Sequence, residues 1–342
     1  MDALRFGLNL GDAPPDLSAA AQLDVYLRQV DAGQRAGFRD FFVGHHYSYT
    51  EARWLQPIPL LARLTAELDA GCRLGTGILV APLLSPVALA EEAATLAAMA
   101  PGRVVLGVGT GYRRIEYLAL GVDWTQRQLI LERSIRILRQ QWRGEPSMIN
   151  GVEVASGCRL DRADWPTIVI GAKSPSGARL AGRCGAGLIA ASKQPVGRLE
   201  WLQAEHRAAW AGPGAPPAAF VMRNVELGPT VSAAAASQRA RSRQRMEGYE
   251  REGLALGPSS PYGESGDLGE EALLGPAAAV RQDLERLAGR VAIESILVRA
   301  QWPGMSGEEV ERWLRQVGQA LIEQRDASDQ STVSTTPRRT AL

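Results

Sequence analysis

Two of the chain's three histidines stand side by side in Gly44-His45-His46-Tyr47. Imidazole titrates near neutral pH, so one of the pair is a candidate proton-handling group; the alternative is two structural histidines tying down a loop. Neighbours on a strand point to opposite sides, so at most one is expected to face a pocket. A second cluster, Gly107-Val108-Gly109-Thr110-Gly111-Tyr112, alternates glycines, which let a backbone approach a flat ligand or a phosphate closely. The same pattern resembles the glycine-rich motif of S-adenosylmethionine methyltransferases. That reading wants a strand with a terminal acid roughly 20 residues later. Here a long helix follows, and Asp123 precedes it in a loop.

A third cluster is Gly171-Ala172-Lys173-Ser174-Pro175-Ser176-Gly177. Ser174 or Ser176 could cap a helix that Pro175 helps to start. Free N–H groups, two hydroxyls and the positive helix end would also suit a phosphate. Lys173 and Lys193 are the only lysines, so Lys173 stands out as a point charge, against the alternative that it points to solvent. A fourth cluster is Arg299-Ala300-Gln301-Trp302-Pro303-Gly304, where Gln301 and Trp302 could line a pocket, or Trp302 could merely plug an edge.

These clusters end successive β-rich runs. Strands are expected at Leu4–Leu10, Phe38–His46, Cys72–Pro82, Arg103–Gly109, Thr167–Gly171, Gly187–Ala191, Phe220–Leu227 and Ser295–Trp302. Helical patterns separate them. Eight strands alternating with helices imply parallel pairing with right-handed crossovers, and fit a (β/α)₈ barrel, a TIM barrel; an open doubly wound sheet is the alternative. The strands are apolar on nearly every residue, as in Gly77–Ala81, which suits a sheet covered on both faces. One barrel domain is expected over residues 1–325, with insertions at about 147–164 and 257–275. The second, rich in glycine, serine and proline, reads as a surface connection or a lid. Residues 326–342 read as a disordered tail.

The 342 residues are 45% hydrophobic and 22% charged, which fits a globular class. With 38 basic and 37 acidic residues, no footprint for nucleic acid is visible. No segment reads as a signal peptide or a membrane span. Cys72, Cys158 and Cys184 are widely spaced and suit a reducing cytoplasm, and no metal motif is present.

Together these residues carry a resemblance. "GHHY" at 44–47, the run from Leu74 to Tyr112, the glycine at 121, the run from Gly171 and "RAQWPG" from Arg299 resemble the bacterial-luciferase-like flavin-dependent monooxygenases. The resemblance implies a barrel binding reduced FMN, or in some branches reduced deazaflavin, at its carboxyl face. FMN members use dioxygen to oxygenate a small organic substrate and receive reduced flavin from a separate reductase. It implies a catalytic role for His45, with His46 beside it, and a homodimer. It places Gly77–Ile78, which in the family can form a non-prolyl cis peptide, under the flavin ring. Ser174 and Ser176 match positions near the flavin phosphate. His46, Gly109, Thr110, Gly111 and Lys173 are expected to bind the cofactor with them, and Tyr112, Gln301 and Trp302 to line the substrate pocket. The sequence departs from the family at Gly44, where an acid is usual, and at Thr110, where many members have a phosphate-holding arginine. Lys173 stands where luciferases have an acid, and Gly177 where they have a hydroxyl residue. The double-histidine strand end resembles the FMN branch, so the favoured activity is an FMN-dependent monooxygenase. A deazaflavin-dependent hydride-transfer oxidoreductase and a non-catalytic flavin-binding relative are the alternatives.

Overall fold

The structure, a computed structural model, describes residues 4–11, 17–49, 54–192, 194–251, 271–302 and 304–323. Strand β1 (Arg5–Leu10) leads into helix α1 (Ala19–Arg35), whose first turn is capped by the Ser18 hydroxyl. The second unit is β2 (Asp40–Val43) and α2 (Pro57–Leu64). The single strand expected over 72–82 is two pieces, β3 (Arg73–Thr76) and β4 (Leu79–Val80). Between them the Gly77–Ile78 peptide bond is cis. Helix α3 (Pro86–Met99) precedes β5 (Val104–Gly109). A short helix not foreseen from the sequence, α4 (Arg114–Ala119), comes before the long α5 (Arg127–Arg143).

The insertion at 147–164 contains a small antiparallel hairpin, β6 (Ser147–Ile149) and β7 (Val152–Val154), with Asn150 and Gly151 at positive φ in its turn. Then come β8 (Thr167–Ala172), α6 (Pro175–Arg183), β9 (Gly187–Ala190), α7 (Val196–Ala208), β10 (Ala219–Leu227) and α8 (Val231–Arg251). The chain continues with β11 (Ala272–Gly275), α9 (Ala277–Arg290), β12 (Ile293–Val298) and α10 (Gly307–Gly318), with a π-helical stretch over Gln319–Glu323.

Eight strands close into a parallel barrel in the order β1, β2, β3, β5, β8, β9, β10, β12 and back to β1. The open doubly wound alternative is therefore excluded. β4 extends the third position by pairing Leu79 with Val108 and Val80 with Gly109. β10 outruns the barrel, and its residues Asn224–Leu227 pair with β11. Part of the expected insertion at 257–275 is thus a buried strand, since the projecting half of β10 needs backbone partners. The rest of the lid candidate and the tail at 326–342 lie outside the described residues.

Two cores hold the site in place. The outer core packs helices on strands and includes Leu8, Phe41, Leu74, Leu106 and Trp142. The inner one fills the barrel with Phe42, Val105, Val169, Ile189, Phe220 and Leu297, with Ile78 and Met222 packed on it. At the amino-terminal end of the strands the Asp40 carboxylate accepts hydrogen bonds from Arg5 (2.9 Å) and Arg73 (2.8 and 2.9 Å). Arg73 also pairs with Glu294, so that end is closed by an ionic layer rather than left as a pore.

Candidate active site

At the carboxyl ends of the strands lies a cavity of about 310 Å³. Ile78 and Met222 line it and rest on the inner core, so its floor is apolar and fixed. Ile78 is seated by glycines. A Cβ at Gly109 would lie 2.2 Å from its Cδ1, and one at Gly171 3.1 Å from its Cγ2. The expected role of Gly109, direct approach of backbone to a ligand, is replaced by making room for Ile78, and Gly109 is not among the lining residues. Gly77, Thr110 and Gly111 do line the cavity, Gly111 with φ of 64° against Val80.

β2 stops at Val43, so strand alternation does not govern 44–46. Both His45 and His46 line the cavity, contrary to the expectation that only one could. A side chain at position 44 would meet Trp54 at 2.6 Å, which accounts for Gly44. His45 is buried, and its Nδ1 accepts a hydrogen bond from the Val80 N–H at 3.0 Å. The proton of the neutral ring therefore sits on Nε2, a buried atom with the Gln56 side chain beside the ring. Burial and then the neighbouring His46 lower its pKa to about 4. His45 is thus a neutral hydrogen-bond donor at neutral pH, not the group titrating there that its type suggests.

His46 belongs to a denser network. Its Nδ1 lies 2.9 Å from Glu116 Oε1, and its Nε2 3.2 Å from the Tyr112 hydroxyl. Glu116 Oε1 also accepts from the Tyr47 N–H (3.0 Å) and Arg113 Nη1 (3.0 Å). Burial would raise the Glu116 pKa, but the His46, Tyr47 and Arg113 contacts outweigh it and hold it below the usual range. Trp54 and Tyr49 pack on the imidazole with centroids 4.9 and 5.1 Å away.

Across the cavity, Ser174 caps α6 by accepting from the Gly177 N–H at 3.3 Å. Ser174, Gly177 and Lys173 line the cavity, whereas Ser176 is exposed, bonded to Ser174 at 3.0 Å and not among the lining residues. Lys173 does not point to solvent. Its Nζ lies 5.1 Å from the centre of the Tyr112 ring, and burial lowers its pKa to about 7. Trp302 lines the cavity under the Arg245 guanidinium, 4.9 Å away. Gln301 points elsewhere: its Nε2 donates to the carbonyls of Trp302 and Met305, and it borders a separate small cavity beside Gln29.

Trp54, Glu116, Asn9, Met222 and Arg245 escaped the sequence reading. Glu116 sits on a six-residue helix too short to give a period, and Trp54 lies in a connection without a motif. Among the described residues no helix is long and apolar enough to cross a membrane, and no group of three His, Cys, Asp or Glu side chains is placed to hold a metal ion.

This geometry agrees with what the chain is similar to. The model of the family described as luciferase-like monooxygenase matches residues 4–307. The chain belongs to that family. The F420-dependent glucose-6-phosphate dehydrogenase of Beutenbergia cavernae is 33% identical over 190 residues, 53% of each chain. The chain spans about half the length of the curated relatives it matches. Monooxygenase RslO1 from Streptomyces bottropensis shares the fold with a TM-score of 0.79 at 21% identity, over 94% of this chain and 100% of that one. The oxygenating constituent of 3,6-diketocamphane monooxygenase from Pseudomonas putida, a type II Baeyer-Villiger enzyme in complex with FMN, gives 0.71 at 17% identity, over 94% and 99%.

The residues present fit a ring cofactor with a phosphate. An apolar floor at Ile78 and Met222, a buried donor at His45 Nε2 and a capped helix start beside Lys173 are what such a molecule requires.

Proposed function

We propose that the chain is a luciferase-like oxidoreductase that holds reduced FMN over Ile78 and Met222 and uses dioxygen to oxygenate a small organic molecule. The observation that carries this reading is a cavity over an apolar floor with the neutral, buried donor His45 on one side and the start of α6 with Lys173 on the other. When bound, the reduced flavin supplies the electrons that activate dioxygen. The chain's own residues do the rest. The start of α6, with Ser174, Gly177 and Lys173, holds the phosphate. The apolar floor keeps water out. His45 presents one fixed hydrogen-bond donor to the reacting atoms, and its low pKa keeps that donor neutral.

A second reading is favoured by one finding: several curated relatives are named as F420-dependent dehydrogenases. In it a reduced or oxidised deazaflavin occupies the same place and the reaction is hydride transfer. The proposed enzyme works in the cytoplasm with a separate flavin reductase. It is a homodimer, in which a second copy covers exposed Ile115, Leu118, Leu120 and Leu129 of α4 and α5 and their connection; sedimentation tests that state.

Anaerobic titration with reduced FMN and with reduced deazaflavin, then mixing with dioxygen, separates the readings. Tight FMN binding with rapid dioxygen uptake is expected. Binding of deazaflavin alone, without dioxygen uptake, transfers the assignment to the second reading. Binding of either cofactor with no dioxygen uptake and no hydride transfer marks a non-catalytic relative.

A further inference from the structure

The cavity contains two imidazoles, and their hydrogen bonds give them opposite polarity. On His45, Nδ1 accepts from the Val80 N–H, so its other nitrogen, Nε2, is a donor. On His46 the pattern is reversed. Glu116 is an ionised carboxylate and brings no proton of its own, so His46 Nδ1 must donate across their 2.9 Å contact. In the neutral ring this leaves the lone pair on Nε2, facing the Tyr112 hydroxyl at 3.2 Å. Arg113 and the Tyr47 N–H hold Glu116 in place through the same oxygen, and Trp54, Tyr49 and Tyr112 hem the imidazole in. The arrangement is carboxylate, imidazole, hydroxyl, in the order that makes a hydroxyl a proton acceptor.

We propose that Tyr112, backed by His46 and Glu116, is the proton acceptor of this site, and that His45 serves only as a donor. In the step, the phenol oxygen takes the proton that leaves the substrate, while the phenol's own proton passes to His46 Nε2. The substrate keeps the electron pair of the broken bond, no redox partner is needed, and Glu116 stays ionised beside the imidazolium. The charged and titratable groups around Tyr112 favour this. From the β8–α6 turn Lys173 lies over its ring, from the end of β2 come His46 and the neutral His45, and from α4 and its start come Glu116 and Arg113. Tyr112 and His45 touch the reaction space; His46 and Glu116 are positioning residues.

This rests on the cavity being the reaction site, not on which ring cofactor fills it. The test uses the cofactor-free protein at neutral pH with ¹⁵N-labelled histidine. His46 is expected to carry its proton on Nδ1 and His45 on Nε2. Glu116→Gln is expected to let His46 populate the opposite tautomer, and Tyr112→Phe to shift only the His46 Nε2 resonance. Loaded with cofactor, Tyr112→Phe is expected to bind it normally and lose about 10²–10⁴-fold in turnover. A proton on His46 Nε2 in the unmodified protein, or a His46 resonance indifferent to Tyr112→Phe, overturns the proposal. So does undiminished turnover in that variant. Failure of the unmodified protein to bind either cofactor overturns the proposed function instead, and leaves the tautomer result standing.

Discussion

The Val80 N–H donates to His45 Nδ1 at 3.0 Å. One backbone group on β4 thereby decides which nitrogen of a catalytic candidate on another strand end carries the proton.

His45→Ala is expected to have two separable effects. Turnover falls about 10²–10³-fold, as for loss of one fixed donor. Stability falls by about 1–3 kcal/mol, because the buried Val80 N–H loses its acceptor. Stopped-flow mixing with dioxygen reads the first and urea unfolding the second. An unchanged rate removes His45 from the chemistry.

Lys173 gives a pH signature. Folded, it releases its proton near pH 7; unfolded, it keeps it to about pH 10. Between those values the unfolded chain binds more protons, so stability rises with pH, and Lys173→Met should flatten that rise. Lys173→Ala should also weaken reduced FMN several-fold while leaving riboflavin, which has no phosphate, unaffected. Equal losses for both would deny the phosphate contact.

Asp40 works in the opposite sense. Burial would raise its pKa, but the hydrogen bonds from Arg73 and Arg5 outweigh it and hold it low. Its contribution is present above the unfolded value of about 4 and disappears as pH falls through the folded one. Asp40→Asn is expected to cost about 1–3 kcal/mol at neutral pH, by removing the charged acceptor that Arg5 and Arg73 share. It should also lose less stability than the parent on acidification, read by unfolding at stepped pH.

Two glycines of one strand should respond differently. At Gly107 a Cβ would lie 2.0 Å from the Thr76 carbonyl oxygen, which is backbone and cannot turn aside. Gly107→Ala should therefore destabilise by about 3 kcal/mol. At Gly109 the obstacle is the end of the Ile78 side chain, which can rotate into the cavity. Gly109→Ala should fold and lose cofactor affinity. The reverse pattern in melting and titration experiments would count against the seating of Ile78.

The strands of the barrel were legible because both their faces are covered, which turns each into an apolar run such as Val104–Val108. What failed depended on contacts distant in sequence. β11 is four residues after a glycine- and serine-rich stretch, and only the overhang of β10 gives it a partner. The break between β3 and β4 lies inside a run, Cys72–Pro82, that reads as one strand. Cavity-lining residues were readable where a motif marked a strand end, as at His45, Ser174 and Trp302. Their roles were not. Burial decides that His45 stays neutral and that Lys173 faces the cavity, and Gln301 turns to backbone carbonyls that the sequence does not place.

The barrel's ring is closed unevenly. Between β9 and β10 only two residue pairs meet, Phe220 with Ile189 and Val221 with Ala190, whereas four join β12 to β1. Phe220 and Ile189 are also members of the inner core. The clasp of the ring is therefore a side-chain latch more than a ladder. Shaving Phe220 to alanine would unfasten the cylinder at that one place, and fast amide exchange along β9 would announce it before any global unfolding.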